Sequence, residues 1–339
     1  AWRGRGRYAS GLAGWACVAG AWASVPFASL WALQHPPGDL APARPGCVQA
    51  IREGGEGRLA RYRTPALPPN LGLLWELPDL HVNGAILKAD YRNLMMALNP
   101  GEQALLARDS EVAPFRDPAL LDLPLLDLLG TGLLLAGEEV VSHRWQPLAA
   151  EPSGFCFHEK PGWRLYRNPA ALPRAWLAPG LRVLPDGRSV LEAMLSPGLD
   201  PRGCALASPD SGALLEEDDC KGSAGASPGS VVVSSPNPNQ VVLAVDARSP
   251  SWLVLAEAWD AGWEASVDGH PVEVRRVFHL LRAVRMAPGR HEVVFAYRPA
   301  SVLLGMAASA ASMLALLAWI WMVPRGGIEP PTRGFSVPC

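Results

Sequence analysis

The stretch WDAGWEASVDGHPV, residues Trp259–Val272, decides how the C-terminal part of this chain folds. It contains two tryptophans, a glycine between them, and then the pair Asp268-Gly269. An Asp-Gly pair between short apolar segments is typical of a tight β-hairpin turn, because both residues tolerate a positive φ. We therefore predict a β-hairpin centred on Asp268 and Gly269.

Short apolar segments separated by turn residues surround this hairpin. Their regular repetition predicts an antiparallel β-sandwich over residues 181–299. The predicted strands are 189–193, 230–234, 240–246, 252–258, 263–267, 272–276, 280–286 and 291–297.

The preceding region, residues 35–180, has a mixed pattern. Apolar residues at helical spacing predict a helix over 86–98, ended by Pro100, and a proline-interrupted helix over 117–129. Buried strands are expected in GLLLAG and in 163–167, and a strand pair around a glycine-rich turn within 47–64. Together with the sandwich, this predicts an α+β domain.

Two long runs without acidic or basic side chains lie on either side of this domain. Residues 8–34 and 300–324 are each long enough to form a helix that crosses a bilayer. The basic flank 1–7 precedes the first run and Arg325 follows the second, so the positive-inside rule places both ends in the cytoplasm. The fold class predicted is thus a membrane-anchored α+β protein with its main domain outside. The Gly- and Pro-rich tail 325–339 is expected to be disordered.

The first apolar run has an alternative interpretation as a signal peptide. Its basic start fits, but the run is longer than the usual apolar core of such peptides and the cleavage signal is weak. Small residues at helical spacing in both runs allow close helix packing, either of the two runs on each other or on further helices of the same protein. The chain begins with Ala, so N-terminal truncation is expected.

Charge and cysteine content restrict the function classes. The net charge is −2 and the basic residues are scattered, which argues against a nucleic-acid partner. Four cysteines fall in the predicted outer region, and Cys204 and Cys220 flank a loop that a disulfide would close. His270, His279 and His291 lie on neighbouring predicted strands, but alternation does not place them on one face. We interpret them as surface histidines, and no metal or cofactor is predicted.

The segment Ser251–Gly305 resembles the C-terminal end of YfhO-like bacterial membrane proteins. Upstream, LYRNPAALPRAWLAPG and LLDLLGTGLLLAG resemble further motifs of that family, so that the resemblance covers roughly residues 60–321. The residues at matching places in the C-terminal segment are Trp259, Gly262, Trp263, Asp268, Gly269, Arg282, Gly289, His291, Tyr297 and Pro299.

The resemblance implies a part in a polytopic glycosyltransferase that uses polyprenyl-phosphate sugars to modify cell-envelope glycan. Members carry their catalytic acidic residue in an early loop among many helices, and no residue of this chain can be given that role. We therefore expect a C-terminal portion in the bacterial inner membrane, without turnover of its own. Its expected partners are membrane lipid, the sugar donor, the glycan and the missing N-terminal helices.

Two groups of side chains are candidates for substrate binding. A polar cluster after the membrane exit includes Asp79, Asn83, Lys88 and Tyr91, which could contact an acceptor or a lipid phosphate or form an ordinary helix cap and loop. Trp259 and Trp263 could stack on a sugar ring or fill the core of the sandwich. The alternative function is therefore a non-catalytic, membrane-anchored module that binds glycan or protein.

Overall fold

The computed structural model describes most of the region between the two apolar runs, and residues 300–322 of the second run. The first predicted span 8–34, the tail 325–339 and Asn83 lie outside the described residues. The described residues are 46–64, 67, 70–81, 87–99, 114–151, 156, 162–211, 220 and 228–322.

The described chain is mostly β-sheet. The helices are α1 (Gly46–Glu53), α2 (Ala89–Leu98), α3 (Leu125–Leu128), α4 (Gly187–Met194) and α5 (Ala300–Met322), with short 3-10 helices at Leu71–Trp75, Pro118–Asp122 and Pro209–Ser211. The strands are β1 (Leu59–Tyr62), β2 (Leu133–Ala136), β3 (Gln146–Glu151), β4 (Trp163–Arg167), β5 (Ala175–Ala178), β6 (Leu181–Val183), β7 (Ala205–Ala207), β8 (Gly229–Asn237), β9 (Gln240–Ala247), β10 (Ser251–Ala258), β11 (Trp263–Val267), β12 (His270–Val272), β13 (Arg275–Val277), β14 (Leu281–Met286) and β15 (Gly289–Tyr297).

The N-terminal part is built around a mixed sheet with the strand order β1-β2-β4-β3. β1 and β2 run parallel, with Leu59 opposite Leu133, and the other neighbours are antiparallel. Every residue of β1 and β2 is buried, as expected for short apolar strands covered on both faces. A separate parallel pair joins β6 to β7.

Two antiparallel sheets make up most of the C-terminal part. Their strand orders are β13-β14-β10-β5 and β12-β11-β15-β9-β8. The predicted hairpin is confirmed: Val267 pairs with His270 around a turn in which Asp268 and Gly269 have φ values of 51° and 81°. Positive φ at both central residues is the geometry that matches the twist of paired strands.

Side chains of both antiparallel sheets meet in one hydrophobic cluster. β9 shows the alternation clearly, because Val241, Leu243, Val245 and Ala247 are buried while the residues between them are less so. β5 precedes the predicted boundary at residue 180, yet it pairs with β10 and belongs to this part of the molecule. The buried members of the cluster are Ala175, Leu177, Val241, Leu243, Val245, Ala247, Leu253, Leu255, Ala265, Val284, Met286, Val293 and Phe295.

Two short segments predicted as strands are helices instead. The first half of the predicted strand pair in 47–64 is helix α1, in which Cys47, Val48 and Ile51 are buried along one helical face. The predicted strand 189–193 is wrong because the segment belongs to α4. There the side chain of Asp186 accepts a hydrogen bond from the Ser189 N–H at 2.7 Å and caps the helix. The predicted strand 272–276 is divided between β12 and β13.

Helix α5 follows β15 after only two residues and is apolar on all sides. Among the described residues, one helix is long and apolar enough to cross a membrane, and it is the segment Ala300–Trp319 of α5. None of this span is buried against the rest of the chain.

Candidate functional site

The loop between β10 and β11 packs against the point where β15 leads into α5. Gly262 is buried there, and a Cβ atom on it would lie 2.8 Å from Tyr297 Cε2 and 2.9 Å from Pro299 Cβ. The Arg298 N–H donates a hydrogen bond to the Gly262 carbonyl at 2.7 Å. Only glycine allows this close approach, so the WDAGW stretch fixes the start of the apolar helix.

Lys88 connects the start of α2 to the same loop. Its Nζ lies 2.7 Å from Asp260 Oδ2 and also donates a hydrogen bond to the Trp259 carbonyl. Burial opposes ionisation of Asp260, but hydrogen bonds from Lys88 and the Gly262 N–H outweigh it and lower the pKa of this carboxyl. Of the residues predicted to bind substrate, Lys88 and Trp259 are thus brought together.

Trp259 and Trp263 are both half-buried, and each lies near an arginine. The Arg276 guanidinium carbon is 5.5 Å from the centre of the Trp259 ring, and that of Arg282 is 3.7 Å from the Trp263 ring. Trp263 also packs against the core between the sheets and lies 5.0 Å from the Tyr297 ring. Both indoles therefore combine contacts within the protein with partial access to solvent.

Behind Trp263 lies a group of arginines around a single glutamate. Arg282 donates from Nη2 to Glu257 Oε2, and Arg174 donates from Nε to Glu257 Oε1 at 2.7 Å. Arg58 donates to the Leu129 carbonyl at 2.5 Å and to the carbonyl of Ala256 next to the glutamate. We call Arg58, Arg174, Arg282 and Glu257 the arginine cluster.

Burial lowers the pKa of the two inner arginines of this cluster, Arg58 and Arg282. Arg282 is only 1% exposed, and burial lowers its pKa to about 10, although Glu257 opposes the shift and Arg174 adds to it. Burial also lowers the pKa of Arg58, with the same two neighbours acting in the same directions. Glu257 lies where the pairing of β10 with β14 shifts register between Leu255 and Ala258. Such irregularities redirect side chains out of the regular ladder.

Asp79 and Tyr91 make contacts within the N-terminal part. Asp79 forms an ion pair with the buried Arg61 and accepts a hydrogen bond from the His81 N–H at 2.8 Å. Burial raises the pKa of Asp79, although Arg61 acts against this shift. The Tyr91 hydroxyl donates to the Leu80 carbonyl at 2.6 Å.

His81 is fully buried, and its environment disfavours a charge. Its ring packs edge-on against Phe115 at 4.8 Å, and within the described part of the chain neither ring nitrogen has a hydrogen-bond partner. Burial, together with the nearby Arg61, lowers its pKa well below the usual value. A buried neutral histidine of this kind becomes a source of instability in acid.

The three histidines that the sequence places on neighbouring strands have different surroundings. His270 is exposed, His279 lies in the tight connection between β13 and β14 with φ 62°, and His291 Nδ1 is 2.7 Å from Asp268 Oδ2. The hydrogen bond to Asp268 raises the pKa of His291. Across the described ranges, no group of three or more His, Cys, Asp or Glu side chains is placed to hold a metal ion.

The described residues contain two disulfides. One joins Cys204 to Cys220, and the other joins Cys47 to Cys156 across 109 residues. The second pair was not predicted, because four cysteines allow three pairings and spacing alone does not distinguish a long-range bridge. Cys47 lies on the buried face of α1, so this bridge ties that helix to the loop before β4.

Residues 227–309 match the model of a family described as bacterial membrane protein YfhO. The chain carries a YfhO-family region. This region includes strands β8 to β15 and the beginning of α5, so the resemblance noted from the sequence is confirmed here. No curated protein and no solved structure matches the chain.

The arginine cluster is the feature that sequence reasoning missed. Arg282 is one of the residues at matching places in the YfhO region, and Arg174 falls in the upstream LPRAW stretch that resembles the family. Glu257 also lies within the YfhO region but is not among its residues at matching places, and Arg58 lies outside the resemblance. Their meeting depends on contacts between residues about 200 positions apart in the chain, as in the Arg58 bond to Ala256. Composition and local spacing contain no information about such a contact.

Proposed function

We propose that this chain is the C-terminal portion of a polytopic inner-membrane protein resembling polyprenyl-phosphate-sugar-dependent glycosyltransferases. The observation that carries this proposal is the continuity of the YfhO region, which runs from β8 through β15 into the apolar helix α5. A folded β-rich body joined to a spanning helix by two residues is suited to work at the membrane surface. The two antiparallel sheets would form the predicted sandwich.

The disulfides support a position on the outer face of the membrane. Disulfides persist in oxidising compartments and are rare in the cytosol. Both bridges lie in the body that precedes α5, between residues 47 and 220. A cytoplasmic C-terminal flank after α5 then places this body outside, in agreement with the positive-inside rule.

In this proposal the body does not carry the catalytic carboxylate. Transfer from a polyprenyl-phosphate sugar needs an acid or base beside the lipid-borne sugar. We assign that residue to an early loop among the N-terminal helices of the same protein. The body would cover the reaction site or present the envelope glycan, with Lys88, Trp259 and Trp263 on the side that lies against the start of α5.

A transfer assay tests this division of labour. The present chain and the longer parent protein are each reconstituted in liposomes with a radiolabelled polyprenyl-phosphate sugar and envelope glycan. We expect label on the glycan only with the parent. Transfer by the present chain alone would show that the catalytic group lies within it, and an inactive parent under conditions that preserve its fold would remove the glycosyltransferase assignment.

A second candidate is glycan binding without catalysis, and the half-buried tryptophans favour it. Aromatic rings with one accessible face stack on the apolar face of a sugar, and Trp259 lies beside the exposed Lys88. Binding of purified envelope glycan is measured by calorimetry with the native chain and with Trp259→Ala. We expect weaker binding by the variant if the indole is a sugar platform. Equal affinities of the two proteins would contradict this role.

A further inference from the structure

We propose that the arginine cluster is an oxyanion site that takes a phosphate group at the membrane-facing end of the body. The site consists of Arg58, Arg174 and Arg282 around Glu257. It requires no glycosyl transfer and therefore goes beyond the function proposed above.

The first argument is charge. Three guanidinium groups lie around one carboxylate, and, in addition to burial, Arg174 lowers the pKa of both Arg58 and Arg282 because the like charges repel one another. Asp260 also acts on Arg282, but it is already paired with Lys88. Repulsion between like charges in a partly buried site is relieved when a further opposite charge is supplied. A bound oxyanion supplies it.

The second argument is the unsatisfied donors of Arg282. This side chain is 1% exposed, and its Nε and Nη1 atoms have no hydrogen-bond partner within the described residues. Buried donors are nearly always paired in folded proteins, and an unpaired one points to a missing water or ion. Arginine also matches the oxygens of phosphate with two parallel N–H groups.

The third argument is position. Arg282 stacks on Trp263, Trp263 pairs with Tyr297 across β11 and β15, and α5 begins three residues later at Ala300. On the open side of the cluster, the side chains of Arg174 and Glu257 are 45% and 21% exposed. The cluster is therefore reachable from solvent close to the level at which α5 would enter the bilayer.

This arrangement also indicates how binding occurs. Glu257 occupies donors of both Arg174 and Arg282 in the present structure, so an incoming phosphate must share these donors with it or displace it. Removing the carboxylate should therefore strengthen phosphate binding, whereas a purely structural glutamate would only lose stability when replaced.

Thermal unfolding of the full chain in detergent tests the proposal, with inorganic phosphate as the probe and sodium chloride at the same ionic strength as the reference. We expect phosphate to raise the Tm beyond the salt effect in the native chain. In Arg174→Gln the half-saturating phosphate concentration should rise at least about tenfold, and in Glu257→Gln it should fall by a similar factor. Arg174→Lys, which keeps the charge but loses the fork, should lie between the native chain and Arg174→Gln.

The matched control is Arg188→Gln. Arg188 is 85% exposed and pairs with Glu192 on the same helix, so this variant changes the charge equally without touching the cluster. It should respond to phosphate like the native chain. A Tm shift of equal size in Arg174→Gln, or no shift beyond that of chloride in any native preparation, would overturn the proposal. Circular dichroism of each variant before heating verifies that it is folded.

Nanodiscs distinguish the two sources of the phosphate group. The native chain is reconstituted in zwitterionic and in anionic phospholipid, and the phosphate titration is repeated. If the ligand is a lipid headgroup, anionic nanodiscs abolish the response to added phosphate. If it is free phosphate, the response is the same in both membranes. In either case, the Arg174→Gln variant should lose the response to added phosphate that the native chain shows in zwitterionic nanodiscs.

Discussion

The N-terminal part of this chain and its YfhO region are stabilised in different ways. In the YfhO region neighbouring strands are often close in sequence, as in the hairpin of β11 and β12, and the buried polar side chains are few. The N-terminal part has a helix tied by a disulfide across 109 residues and buries Arg61 and His81. Local alternation thus builds the YfhO region, whereas the N-terminal part adds a long-range disulfide and buried polar groups to its hydrophobic core.

Breaking the long-range bridge should have the largest effect. Cys47→Ser with Cys156→Ser removes the constraint on a loop of 109 residues, which stabilises the folded state by about 4–5 kcal/mol in the loop-entropy model. Hydrogen exchange should show faster opening of α1, β1 and β4, while β9 and β15 remain protected. Cys204→Ser with Cys220→Ser is the control. This disulfide joins residues separated by 16 positions, so its loss should cost less, about 3 kcal/mol. Equal loss of protection in both parts would contradict the comparison.

A cavity between the two antiparallel sheets should destabilise the YfhO region rather than the N-terminal part. Phe295 is fully buried in the cluster that the two antiparallel sheets share, so Phe295→Ala should cost about 3–5 kcal/mol in the free energy of unfolding. Urea denaturation followed by tryptophan fluorescence measures the loss. Val232→Ala, on the exposed face of β8, serves as the reference and should change stability little. A similar cost for both variants would show that Phe295 does not pack between the sheets.

The contact between loop and helix can be tested at Gly262. Gly262→Ala places a methyl group 2.8–2.9 Å from Tyr297 and Pro299, and such overpacking should cost about 1–3 kcal/mol. Gly198→Ala is the control, because the nearest atom to its new methyl group is the Ser196 hydroxyl oxygen at 3.6 Å. In thermal unfolding, the Tm of Gly262→Ala should be clearly lower than that of Gly198→Ala. Indistinguishable stabilities would mean that the loop adapts without cost.

The two parts should respond to acid in opposite ways. Burial lowers the pKa of His81, so the unfolded state binds a proton more readily than the folded state below about pH 6.5. Stability contributed by neutral His81 is present above that pH and is lost as the pH falls. His81→Asn should flatten the acid limb of the stability profile, and His143→Asn, which changes an exposed histidine, should not. An unchanged acid limb in His81→Asn would exclude His81 as its cause.

The smallest effect concerns the hairpin of the YfhO region. Asp268 raises the pKa of His291, so the ion pair stabilises the fold below the unfolded pKa and this contribution is lost as the pH rises through the folded pKa. An NMR titration of the His291 ring should give a midpoint above that of an unstructured histidine, and Asp268→Asn should shift it back. A midpoint that Asp268→Asn leaves unchanged would show that the pair has no role in solution.

The same contrast explains how far the sequence predicts the structure. The strands β9, β10, β11 and β15 and the Asp268-Gly269 turn follow from alternation and turn residues over a few positions. Helices α1 and α4 were predicted as strands because in eight residues an i, i+4 pair of apolar side chains resembles an alternating pattern. The arginine cluster and the buried His81 depend on distant residues. Local periodicity contains no signal for them.

Labelling of intact cells tests the central claim that the disulfide-containing body lies outside and α5 anchors it. Cys17 and Cys339 are replaced by Ser, and Arg290→Cys adds a thiol at a side chain that is 90% exposed before β15 leads to α5. A membrane-impermeant maleimide added to whole cells should modify this cysteine as completely as it does after lysis. Labelling only after the membrane is broken would place the body in the cytosol and contradict the account.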